Sequence, residues 1–122
     1  MAQNGQLNWA FADGSLPFQG DGAELSGYES ITVTNLNETP AHLTFDVYFS
    51  DRDPIKGLTY TLGAERVKCF RLDKPFCDQK YNIPQGQYSL VLHSDMPVVA
   101  SFARFDERPT NVAYYTVQGY TY

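Results

Sequence analysis

Residues 41–50, AHLTFDVYFS, alternate strictly between apolar and polar side chains. Leu43, Phe45, Val47 and Phe49 fall on one side of an extended chain, and His42, Thr44, Asp46 and Tyr48 on the other. Successive side chains of a strand point to opposite faces, so the spacing predicts a half-buried strand. The same period recurs in ESITVTNL from Glu29, in LTYTL over 58–62 and in RVKCFRL over 66–72. The last two are predicted to pair as a hairpin through GAE. LNWAFA over 7–12 predicts a first short strand after a polar, frayed stretch at 1–6. Breaker-rich stretches at 13–28 and 73–86 predict long loops, as does the polar stretch 50–56. QYSLVLHS, VVASFARFD and NVAYYTV complete the set, with Met96-Pro97 as a break between the first two. No stretch carries a helical period. About eight short strands separated by turns predict an all-β fold, a single antiparallel β-sandwich or jelly-roll domain over residues 1–122.

The late strands differ from the early ones. Val98, Ala100 and Phe102 make one apolar side, while Val99, Ala103 and Phe105 make a second. An antiparallel sheet normally leaves one face to water, so a second apolar face needs a cover. With no helix to supply it, the expected cover is another copy of the chain, and a homo-oligomer packed through the C-terminal strands is predicted.

Composition narrows the function. Asp plus Glu outnumber Lys plus Arg by 14 to 9, for a net charge of −5, which disfavours the phosphate contacts on which DNA binding depends. The N-terminus lacks the basic and apolar regions of a signal peptide, and no apolar run reaches the roughly 20 residues needed to cross a bilayer. Cys69 and Cys77 stand in unrelated settings, one in a strand and one in a loop, so a cytoplasmic protein with free thiols is expected. Cys69 is expected near the core.

Arg104, Asp106 and Arg108 alternate along the strand that carries Val98, Ala100 and Phe102, so Asp106 is expected between two guanidinium groups. The leading reading is a structural ion-pair ladder, by bidentate hydrogen bonds. The functional alternative leaves one guanidinium free to hold an anionic or polyhydroxyl ligand. Trp9, the only tryptophan, reads as core packing or, alternatively, as a sugar-stacking platform. Tyr114 and Tyr115, with Tyr120 and Tyr122, read as interface packing or as an aromatic groove for rings. Asp51, Arg52 and Asp53 lack the pattern of a calcium loop and read as a solvated turn. His42, His93 and the two cysteines lack metal-ligand spacing, so no metal or cofactor is expected. No titratable pair is poised for acid–base work, so an enzyme is not expected.

Five blocks in order carry a family resemblance: WAFADG from Trp9, ESITVTNLN from Glu29, VYFSDRDP from Val47, AERVKCFRL from Ala64 and MPVVASFARFDER from Met96. Together they resemble the sensory rhodopsin transducer family of small soluble proteins, from Trp9 to about Asn111. The resemblance implies a cytoplasmic β-sandwich that assembles as a homotetramer, has no enzymatic activity and relays a signal from a membrane receptor such as a retinal protein. It also implies likeness to carbohydrate-binding sandwiches, and hence a sugar or other small ligand as the alternative role. The Tyr-rich end, AYYTVQGYTY, departs from the family pattern.

Overall fold

The strict alternation of residues 41–50 becomes strand β3 (Ala41–Phe49), with Leu43, Phe45 and Val47 buried. The computed structural model describes residues 4–16, 26–108 and 111–122. Its other strands are β1 (Gln6–Leu16), β2 (Ser26–Asn35), β4 (Ile55–Leu62), β5 (Arg66–Arg71), β6 (Gly86–Arg108), β7 (Asn111–Val117) and β8 (Tyr120–Thr121). All pair antiparallel, and no helix occurs among the described residues.

One strand organises the whole. The first half of β6 lies between β1 and β3, from Gly86 to Val98, with β4 beyond β3 and β8 beyond β1. Its second half, from Val99 onward, lies between β2 and β7, with β5 beyond β2. The eight strands thus form one antiparallel sheet joined through β6.

Met96-Pro97 does not break the strand as the sequence predicted. Pairing with β3 ends at Ser94 and pairing with β2 starts at Val99, so Pro97 sits where no ladder partner asks for its missing N–H. Its carbonyl accepts from Asn37 Nδ2 (2.7 Å). The predicted loops also shrink. β1 continues to Leu16 through a register shift between Phe11 and Gly14, and β2 begins at Ser26; residues 17–25 lie outside the described residues. At the start of the chain, Gln6 pairs with Val98 and Asn4 Nδ2 reaches Leu36 O.

The core joins both halves of the sheet. Phe11 of β1 stacks on Phe102 of the second half (5.8 Å), and Phe45 of β3 meets Phe70 of β5 edge-on (5.3 Å). The loop 72–85 contributes as well, since Leu72, Phe76 and Ile83 are buried. Phe76 lies 4.9 Å from Phe45. Asn35 closes the far end from full burial: its Nδ2 donates to Thr39 O (2.9 Å) and Gly63 O (3.1 Å), and its Oδ1 accepts from Asn37 N (3.0 Å). A buried amide with every group paired specifies the β2–β3 turn.

Strand parity corrects the expectation for the cysteines. Phe70 points inward, so its neighbour Cys69 is exposed, while the loop residue Cys77 is buried. Asp51 and Arg52 form a forked, exposed ion pair, as a solvated turn would.

Candidate functional site

The site starts from an acid in an unusual phase. Glu29 lies in step with Ile31 and Val33 on β2, so the strand carries a carboxylate to the inner face, where it is 1% exposed. A buried charge must be paired and hydrogen-bonded. The register sets Arg104 of β6 directly opposite, and its Nε donates to Glu29 Oε2 (2.7 Å), with Nη2 also on that oxygen. The other oxygen, Oε1, accepts from the Tyr88 hydroxyl (2.8 Å) and from Ser15 N (2.7 Å).

The register shift in β1 makes this possible. It places Gly14 opposite Tyr88, and a Cβ there would fall 2.5 Å from the Tyr88 ring. Glycine lets that ring lie flat against the strand and aim its hydroxyl at Glu29. Burial, reinforced by the Glu29 charge and hydrogen bond, pushes the Tyr88 hydroxyl far above its ordinary range, so it stays a donor. For Arg104, burial pulls downward but is outweighed by the bonds to Glu29 and Tyr115, and the guanidinium is held more firmly charged.

Arg104 keeps one edge toward a cavity. Its Nη1 donates to the Tyr115 hydroxyl (3.3 Å), and both residues line a space of about 380 Å³. Phe11 and Phe102 wall it, Asp13 adds a carboxylate, and Tyr120 stands at the rim. The segment from β7 to β8 crosses beside it. Gly119 packs so tightly on Phe11 that a Cβ would sit 2.5 Å from the ring. A guanidinium, a carboxylate and two phenols between aromatic walls suit a polar, ring-shaped ligand. The lining holds no histidine, cysteine or serine.

The predicted site residues separate. Arg104 and Tyr115 meet at the cavity. The partner of Arg104 is Glu29 from the neighbouring strand, and the side chains of Asp106 and Arg108 lie outside the described residues. Trp9 is not a platform. It is buried, with its indole N–H on Val98 O (3.1 Å) and its ring parallel to Phe11. The tyrosines do not share one groove either: Tyr115 and Tyr120 line the cavity, whereas Tyr114 lies on the opposite face against Phe105. Alternation along β7 forces that split.

The opposite face of the second half of the sheet is open. Val67 is 63% exposed and Val99 42%, with Cys69, Thr32, Ser101 and Thr116 between and around them. Tyr28, Phe105 and Tyr114 form an aromatic row at its edge, and Arg71 lies 3.8 Å over the Tyr28 ring.

Among the described residues, no group of three or more His, Cys, Asp or Glu is placed to hold a metal ion, and no helix is long and apolar enough to cross a membrane. A family model described as Anabaena sensory rhodopsin transducer matches residues 4–121. Similar solved structures include Thermotoga maritima 1070, at a TM-score of 0.81 and 27% identity over 98% of this chain and 97% of that one. They also include the Anabaena sensory rhodopsin transducer, at a TM-score of 0.68 and 28% identity over 81% of this chain and 97% of that one. No curated protein matches.

Proposed function

From the premise that the chain belongs to the sensory rhodopsin transducer family, we propose that it is a non-enzymatic cytoplasmic relay. In this reading it is one domain whose sheet folds face to face as a sandwich, assembles as a homotetramer and acts by protein–protein contact. The upstream partner is a membrane receptor such as a retinal protein. The observation that supports the reading is the exposure of Val67 and Val99 on the outer face of β5, β2 and β6, since exposed apolar side chains grouped on one face mark an interaction surface. Sister copies cover it in part, and the surface that remains meets the receptor. Pull-down by a retinal protein reconstituted in nanodiscs tests this. Light-dependent retention is expected, and retention equal to that on empty nanodiscs contradicts it.

The Arg104 cavity favours a second reading, a small-ligand module for a sugar or an organic acid. A thermal-shift screen separates the two, since a ligand that binds the native state raises its melting point. A hit lost in Tyr115→Phe supports the cavity; no hit leaves the relay alone.

A further inference from the structure

The loop between β5 and β6 folds back on itself at 77–80. Phe76 and Tyr81 pair as an isolated bridge (2.8 and 3.0 Å), and Lys80 N donates to Cys77 O (3.1 Å). This turn is fastened to β4: Asp78 N donates to Thr59 O (2.9 Å), and the Gln79 side chain accepts from Thr59 N (2.9 Å) and donates to Thr59 Oγ1 (2.8 Å). Cys77 and Lys80 hold φ of 63° and 55°, left-handed geometry without glycine. Such strain persists only where the surroundings over-determine it, and it clusters at functional sites.

Beside the turn lies a second cavity of about 300 Å³, on the opposite side of β2 from Arg104. Lys68, Arg71, Lys74 and Lys80 line it, four of the nine cationic side chains in a chain of net charge −5. Two carboxylates stand by. Asp78 lines the cavity and accepts from Thr59 Oγ1 (3.4 Å), and Asp73 forks onto Arg71 (3.0 and 2.7 Å). The Arg71–Asp73 pair cancels itself, so three lysines against Asp78 leave a surplus of two. Lys68 Nζ lies 5.7 Å from the Tyr60 ring and 5.9 Å from the Phe70 ring, so an apolar wall adjoins the cations. Burial, with Asp78 close by, pushes the Cys77 thiol up to about 12, so it stays neutral and inert toward a bound anion.

We propose that this cavity binds a small phosphate monoester, its head among Lys68, Lys74 and Lys80 and its body against Tyr60. A phosphate monoester carries about −1.5 to −2 near neutral pH, which matches the surplus. Lysines bind such a group as point charges, and the pinned turn fixes the backbone that carries Lys80. The site is independent of Arg104 and of the relay reading.

Thermal shift and calorimetry with glucose 6-phosphate, inorganic phosphate, glucose and KCl at matched ionic strength test it. Glucose 6-phosphate is expected to raise the melting point, and glucose and KCl to leave it unchanged. The Lys74→Ala/Lys80→Ala variant, both residues being exposed, is expected to keep its fold and weaken the affinity by about tenfold or more. Tyr115→Phe in the first cavity should leave it intact. A shift reproduced by KCl, a shift retained in the double variant, or none up to about 10 mM ligand overturns the site. Equal binding of inorganic phosphate overturns the monoester assignment.

Discussion

The two faces of the second half of the sheet are built from the same strands and have opposite fates. Inward, Ile31, Val33, Ala100 and Phe102 are sealed by side chains from β1 and β3, and the one charged pair among them, Glu29–Arg104, has its oxygens fully engaged. Outward, Val67 and Val99 stay exposed among the described residues, with small polar residues around them. The inner face spends its residues on the fold. The outer face leaves valines exposed without a folding task, and that difference is why we propose it as a contact surface.

Breaking the inner face should therefore cost stability. Arg104→Leu strands the Glu29 carboxylate in the core and is expected to cost about 3–5 kcal/mol in chemical denaturation. Adding Glu29→Met should recover much of that, since an apolar pair replaces a buried charge pair; no recovery would mean the ion pair is not what the variant breaks. Gly14→Ala comes next. Its Cβ drives into the Tyr88 ring, and overpacking of this kind costs about 1–3 kcal/mol. Tyr88→Phe removes a single donor from Glu29, and a loss of about 1–2 kcal/mol is expected, because Ser15 N and Arg104 remain.

The exposed pair His42–Asp95 (2.7 Å), away from both faces, sets the lower end of the scale. Hydrogen bonds from the His42 backbone and ring hold the Asp95 carboxyl below its ordinary value. A lowered folded value means the contribution is complete above the unfolded value near 4 and is lost as pH falls through the folded one. In melting curves between about pH 5 and pH 2, His42→Ala should narrow the acid loss only slightly, the smallest effect of the series.

The alternation in β2, β3, β4 and β5 made these strands legible; of the second apolar side read after Val98, Val99 is exposed while Ala103 is buried. Arg104 stood out by its alternation with Asp106 and Arg108, and Tyr115 by the Tyr-rich end of the chain; pairing between β6 and β7 brings the two together. Glu29 was missed, although a signal existed: an acid in phase with Ile31 and Val33 must face the core, and so must have a partner. The partner's identity was not legible, since only pairing between β2 and β6 brings residues 29 and 104 together. Pro97 was misread because a local rule for breakers ignores where a strand changes partners. Residues 73–86 read as a loop, and the fastening of its turn at 77–80 to Thr59 was not legible because it depends on contact with β4.

The central claim, that the outer face is a contact surface, is tested most directly by light scattering of the purified protein at micromolar concentration. A multiple of the 13.8 kDa chain mass is predicted for the wild type, falling toward the single-chain mass in Val67→Asp/Val99→Asp with its folded spectrum retained. A wild type that scatters as a 13.8 kDa monomer, or a variant that keeps the full assembly, would contradict it.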